Sequence, residues 1–241
     1  MEKAKIRLCV TQDLGQGQTI PLSRDQAHYL FGVMRLKIGA HLLLFNGRDG
    51  EYLATVVTAD KRKGVLECLK KTKDLQMPPD LWLLFAPIKK VRTAFIVEKS
   101  AELGAARICP VQTQFTNADR IRQDRLQAHA LEAAEQCGGT FVPVVDELRR
   151  LDAVLGDWPT DRQLVFCDES LVGAQELLQA KSGIKKWAIL IGPEGGFSDQ
   201  EREKLNGLPF VTKISLGPRI LRADTAAVAA LTLWQSSLGD W

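Results

Sequence analysis

The sequence predicts an α/β fold with a largely parallel sheet, preceded by a small β-rich domain. Three observations lead there. From Leu81 onward, short apolar runs alternate with stretches of helical periodicity. Before about residue 75, runs of strand type are separated by turn residues. Between the two lies a charged segment, 70–80, that ends in Pro78-Pro79-Asp80, as domain boundaries often do. The expected domains are therefore residues 1–75 and 76–241.

In the first region Leu42-Leu43-Leu44-Phe45 leads into Asn46-Gly47-Arg48-Asp49-Gly50, and Tyr52 to Val57 follows. Asn-Gly and Asp-Gly between two such runs mark a hairpin. Gly64 to Leu69 alternates at the strand period. A small barrel or sandwich is expected. In the second region Leu81 to Ala86 is a continuous apolar run, as a parallel strand covered on both faces requires. Thr93 to Leu103 carries apolar residues at helical spacing, with Gly104 placed to end the helix. Further strands are expected at 107–111, 163–167, 187–191 and 211–216, with helices between most of them and after the last.

Composition narrows the functional classes. The 241 residues are 45% hydrophobic and 25% charged, enough to bury a core without disulfides or metals. No run approaches the roughly 20 apolar residues that span a bilayer. Residues Met1 to Lys5 lack an apolar run of signal-peptide type, so a cytoplasmic protein is expected. Cys9, Cys68, Cys109, Cys137 and Cys167 are scattered, and none forms a C-x-x-C pair. His28, His41 and His129 show no ligand spacing, and no metal site is expected. The net charge is only +3, but it is uneven. Residues 1–77 hold thirteen Lys and Arg against eight Asp and Glu, while the remainder holds 19 against 21. A basic N-terminal module suits phosphate contact, and equally a solvated surface.

Two loops carry the candidate chemistry. The first follows the strand at 187–191 and reads Gly192-Pro193-Glu194-Gly195-Gly196-Phe197-Ser198. Its glycines let the backbone turn sharply and approach a ligand. Ser198 and Glu201 form a capping box, so a helix starts there. Open α/β sheets bind ligands at such strand-to-helix turns, although a tight turn with an ordinary cap would look the same. The second loop, Gly217-Pro218-Arg219-Ile220-Leu221-Arg222, precedes a helix rich in alanine. Arg219 and Arg222 are suited to anion recognition or to surface solvation, and Asp224 to capping that helix. No G-x-x-x-x-G-K-[ST] and no G-x-G-x-x-G occurs, which argues against a P-loop or a dinucleotide fingerprint.

These loops closely resemble those of the RsmE family, the small-subunit ribosomal RNA methyltransferases of the SPOUT (α/β-knot) superfamily. Glu98-Lys99-Ser100-Ala101-Glu102-Leu103-Gly104 resembles the family's K-x-x-E-L-G helix, and Glu132 to Gln136 its E-A-x-E-Q motif. His28 to Gly39 is similar to its H-x-x-x-V-L-R-L-x-x-G segment, with Met34 taken as a core exchange for Leu. The resemblance covers nearly the whole chain. It implies a PUA-like RNA-binding barrel, a C-terminal domain with a deep trefoil knot, a homodimer, and S-adenosyl-L-methionine as cofactor. It implies methylation of N3 of a uridine in 16S rRNA of the small ribosomal subunit. Cofactor contacts would come from Leu190, Gly192, Pro193, Glu194, Gly195, Gly196, Leu216, Gly217, Leu221, Thr225 and Ala226. Arg219, Arg222 and Asp224 would be catalytic, with Glu194 a second candidate base. RNA contacts would come from Arg24, Arg35, Lys37 and Arg92. The sequence departs from the family in two places. Asp224 stands where Glu is usual, and Gly139 where Arg often follows Gly138.

Overall fold

The computed structural model describes residues 4, 6–118, 120–167 and 183–241. By internal contacts the chain forms two units: Met1–Met77 with Ala134–Phe141, and Pro78–Ala133 with Val142–Trp241.

The first unit is a curled five-stranded sheet in the order β1-β3-β4-β5-β2. Its strands are β1 (Arg7–Cys9), β2 (Thr19–Pro21), β3 (His41–Phe45), β4 (Glu51–Ala59) and β5 (Gly64–Lys73). β1 pairs parallel with β3, and the other pairs are antiparallel. Three register irregularities between β4 and β5 bend the ladder. The β3–β4 hairpin closes through a five-residue loop, since Phe45 faces Glu51. Asn46 organises it: its Oδ1 accepts from the amides of Arg48 (3.0 Å) and Asp49 (2.9 Å). Ile20, Leu30, Leu42, Leu44, Val56 and Leu66 fill the core. Between β2 and β3 lie the one-turn helix α1 (Arg24–Ala27) and a π-helical turn, His28–Val33. The exchange at Met34 is not a core exchange, because its side chain is 41% exposed.

Arg7 anchors the 134–141 segment to this unit. Its guanidinium donates to the carbonyls of Ala134 (2.7 Å), Glu135 (2.8 Å) and Gly139 (2.6 Å) and pairs with Glu51 (2.8 Å). Carbonyls left over at a helix end are satisfied by a cation in this way. Gly139, where the family often has Arg, therefore contributes its backbone oxygen.

The second unit is built on a parallel sheet. Its path is β12-β10-β11-β6-β7-β8, with β9 pairing β7 beside it. The strands are β6 (Leu81–Phe85), β7 (Arg107–Gln112), β8 (Val144–Val145), β9 (Arg149–Arg150), β10 (Arg162–Cys167), β11 (Lys186–Ile191) and β12 (Val211–Ile214). Every described pair in it is parallel. The helices are α2 (Lys90–Glu102), α3 (Gln123–Cys137), α4 (Leu151–Gly156), α5 (Asp199–Gly207) and α6 (Ala223–Leu238).

Alternation along the strands explains why both faces are apolar. Leu81, Leu83, Phe85, Trp187, Ile189 and Ile191 share one core with Ile96 and Val97 of α2 and Ala227, Ala230 and Trp234 of α6. Leu84, Ala188, Leu190 and Phe166 face the other core, with Leu205 and Trp158. Alanines on α6 let it lie close to the sheet, and Trp234 meets Trp187 edge-on at 6.5 Å. α2 ends where Gly104 adopts φ +76, the left-handed turn that glycine tolerates.

Candidate functional site

In a parallel sheet all strands leave at the same edge. The loops after β11 and β12 therefore gather there, beside Cys167 at the end of β10, where open α/β sheets hold ligands. They enclose a cleft whose empty space, counted with the part open to solvent, is about 700 Å³.

The wall after β11 is rigidly specified. Ile191 O accepts from Ala86 N (3.0 Å), which fixes the loop's departure beside β6. The chain turns through Gly196, φ +67, with Gly196 N donating to Pro193 O (2.9 Å). Phe197 then points back into the core and meets Phe166 edge-on at 5.1 Å. Its ring lies where a side chain at residue 192 would begin: a Cβ there would be 2.6 Å from the ring, so only glycine fits. Ser198 N-caps α5, accepting from Glu201 N, while the Glu201 carboxylate accepts from Ser198 N (2.9 Å). The same carboxylate accepts from Gln114 N (2.8 Å), tying the helix start to the exit of β7.

The wall after β12 is held more sparsely. Ser215 Oγ accepts from Gly217 N at 3.2 Å. Gly217 takes φ +114, a conformation costly for any other residue. Beyond it Arg219 is exposed, and Ile220 is 84% exposed. α6 begins at Ala223 with Arg222 as N-cap, and no side chain caps it. Thr225 N donates to Asp224 Oδ1, which leaves the amides of Ala223 and Asp224 for an acceptor from a ligand.

Of the residues expected at the cofactor, Gly192, Pro193, Glu194, Gly196, Leu216, Gly217, Leu221 and Ala226 line the cleft. Leu190 is fully buried inside β11, flanked by Phe166 and Leu84. Gly195 faces Phe115 instead, and Thr225 is exposed on α6. Of Arg219, Arg222 and Asp224, Arg219 alone lines the cleft, together with Glu194, the second candidate base. Arg222 sits at the helix N-cap. Asp224 is not the cap but a first-turn residue, where a carboxylate favours the helix dipole. Its Oδ1 accepts from Thr225 N (3.0 Å), and its Oδ2 lies 3.6 Å from Arg92 Nη1 on α2. Arg92 and Asp224, expected in different roles, are thus partners. Arg24, Arg35 and Lys37 are exposed on the first unit, and Arg35 holds φ +55, a rare conformation for a side-chain-bearing residue.

Cys167, Ile191, Phe197, Arg202, Ile220 and Ala223 also line the cleft, and the sequence did not single them out. Cys167 is no nucleophile: burial pushes its thiol up to about 12, so it stays protonated at neutral pH. Arg202 is placed by α5 periodicity and donates to Phe197 O (3.2 Å). Among the described residues no group of three or more His, Cys, Asp or Glu could hold a metal ion. No described helix is long and apolar enough to cross a membrane.

The geometry defines an α/β protein with a small-molecule cleft at the carboxyl edge of a parallel sheet. Comparison with known proteins carries this further. Residues 76–235 match the model of the RNA methyltransferase domain, and residues 22–67 that of the RNA methyltransferase PUA domain. The chain belongs to the RNA methyltransferase family. It is 29% identical over 228 residues to the ribosomal RNA small subunit methyltransferase E of Rickettsia conorii, covering 93% of each chain. It is 26% identical to that of Bacillus subtilis, over 92% of this chain and 91% of the other. A methyltransferase of Legionella pneumophila solved with bound SAM superposes with TM-score 0.90 at 28% identity, covering 98% and 99% of the two chains. The ribosomal RNA small subunit methyltransferase E of Neisseria gonorrhoeae, bound to S-adenosyl methionine, gives 0.88 at 26%, with the same coverage.

Proposed function

We propose that this chain transfers a methyl group from S-adenosylmethionine to N3 of a uridine in 16S rRNA of the small ribosomal subunit. The observation that carries this is the convergence of the 192–197 and 217–222 loops on one cleft, in a fold shared over nearly its full length with a SAM-bound methyltransferase. The cleft's residues fit that cofactor. Ile191, Leu216, Leu221 and Ala223 offer an apolar bed for a purine, Gly192 and Gly196 keep backbone close to it, and the uncapped start of α6 offers amides to oxygen.

When bound, the cofactor supplies an activated methyl group on a sulfonium. The chain's own residues must expose N3, take its proton and hold the resulting anion in line. N3 lies on the pairing edge, so the uridine must be unpaired or flipped out. Arg219 is the exposed lining cation suited to stabilise the anion. Glu194 is the exposed carboxylate on the lining suited to take the proton. Arg92 and Asp224 form a pair that sets the start of α6, and Arg222 is a further candidate for phosphate contact. We also infer a knotted SPOUT arrangement of the second unit, a homodimer acting in the cytoplasm, and RNA contacts from Arg24, Arg35 and Lys37. The support is the resemblance of the motifs and, for the knot, the position of β11 between β10 and β6.

The test is to incubate the protein with labelled S-adenosylmethionine and unmodified small subunits, then analyse rRNA nucleosides by mass spectrometry. The expected result is one new 3-methyluridine. Subunit binding without any methylated nucleoside would overturn the proposal.

A further inference from the structure

A second concavity, about 1170 Å³ of open space, lies between α2 and the segment leading into α3. It is not part of the cleft. Its floor is apolar: Ile88, Ala94, Ile121 and Leu126, with Val91 83% exposed and the Phe95 ring 39% exposed. Its rim is cationic, with Lys90, Arg120, Arg122 and Arg125. Arg122 is paired with Asp124 at 2.7 Å, and Arg125 also acts on that carboxylate, whereas Lys90 and Arg120 make no ion pair among the described residues. Glu98, the acid among the described lining residues, faces His129 at 3.0 Å. The groove starts at Pro87 and Ile88, the exit of β6, so it opens at the same sheet edge as the cleft. Thr93 fixes that start, its Oγ1 bonding both the amide (3.0 Å) and the carbonyl (3.1 Å) of Ile88.

We propose that this groove carries the single-stranded RNA flanking the target nucleotide. The inference rests on the reading of the chain as an RNA methyltransferase acting at the cleft. Cations placed around a partly exposed aromatic ring match the two needs of a single strand: phosphates to neutralise and bases to stack. Lys90, Arg120 and Arg125 take phosphates, and Phe95 takes a base. A second copy of the chain is the less suitable occupant. A two-fold contact would face this net-cationic rim with another of the same sign, whereas an RNA strand brings the opposite charge.

The experiment uses the full chain, a fluorescein-labelled U12 oligoribonucleotide and unmodified small subunits. The variants are Lys90→Ala/Arg120→Ala/Arg125→Ala together, and Phe95→Ala alone. All four positions are exposed, and Arg125→Glu serves as a second charge variant should the triple variant fold poorly. The triple variant is expected to bind U12 at least tenfold more weakly. Its plot of log affinity against log salt should flatten by about 2, as loss of three phosphate contacts on a single strand requires. Phe95→Ala should weaken binding with the salt slope unchanged. Binding of S-adenosylmethionine should be the same in all. Unchanged affinity and slope in the triple variant would overturn the groove assignment while methylation by the wild type still stood. Loss of self-association with U12 binding intact would give the groove to a second copy instead. A wild type that binds neither U12 nor subunits would overturn the RNA reading and the groove with it.

Discussion

The two walls of the cleft are built on different plans. The wall after β11 is tied at every point: Ile191 to Ala86, Gly196 to Pro193, Phe197 to Phe166, and Ser198 to Glu201. The wall after β12 has the Ser215–Gly217 contact, an exposed Ile220 and an uncapped helix start. The lesson is a division of labour. One wall is a fixed surface against which a ligand can be oriented. The other presents Arg219 and open helix amides, groups whose interactions are completed by what binds. A preorganised face with a few convergent polar groups is the general form of a small-molecule site.

Breaking the fixed wall should have the largest effect. Phe197→Ala removes a buried ring and should cost about 3–5 kcal/mol by urea unfolding. It should also abolish binding of S-adenosylmethionine, because the ring backs Gly192. Unfolding within 1 kcal/mol of the wild type would show that the wall does not depend on the ring. Next comes the polar wall. Arg219→Ala should lower kcat by about 10²–10³-fold, the usual loss of one charge-stabilising donor, with the urea midpoint unmoved. If activity is retained, Arg219 has no part in the reaction.

Smaller effects sharpen the contrast. Ser198→Ala removes one cap and should cost about 1 kcal/mol, leaving kcat within a few fold. A large loss of turnover would mean that the fixed wall also takes part in chemistry. The smallest effect concerns Cys167. Its thiol is held to about 12 by burial, above the ordinary value of 9.0. The contribution is therefore fully present below pH 9 and is lost between 9 and 12, where the unfolded chain ionises and the folded one does not. Unfolding midpoints at pH 8 and 10.5 should fall less in Cys167→Ala than in the wild type. At pH 7 the wild type should resist alkylation at this position.

Much of the second unit's framework was legible in the sequence. The apolar runs at 81–86, 107–111, 163–167, 187–191 and 211–216 correspond to β6, β7, β10, β11 and β12, with ends shifted by a residue or two. The Ser198–Glu201 box and the glycine after α2 were legible because local chemistry decides them. Elements that exist only through their partners were not. β1, β2, β8 and β9 are two or three residues long, and pairing rather than propensity makes them strands. The π-helical turn at 28–33 and the φ of Arg35 leave no periodic trace. Long-range charge placement was equally hidden. Arg7 spans 127 or more residues to reach the end of α3, and Arg162 is buried against Asp80 and stacked on Trp82 at 3.7 Å. At the cleft, spacing could not tell a cap from a first-turn residue, so it emerged only in three dimensions that the N-cap is Arg222, two positions before Asp224. Nor could it pair Arg92 with Asp224.

The most direct test of the two-walled cleft is calorimetric titration of the full chain and of Gly192→Val with S-adenosylmethionine. A valine there must displace the Phe197 ring, since even a Cβ would lie 2.6 Å from it. One cofactor bound per wild-type chain, with binding lost in Gly192→Val while Arg219→Ala still binds, is the expected result. Equal affinity in the wild type and Gly192→Val, or no binding by either, would contradict the assignment of this cleft to the cofactor.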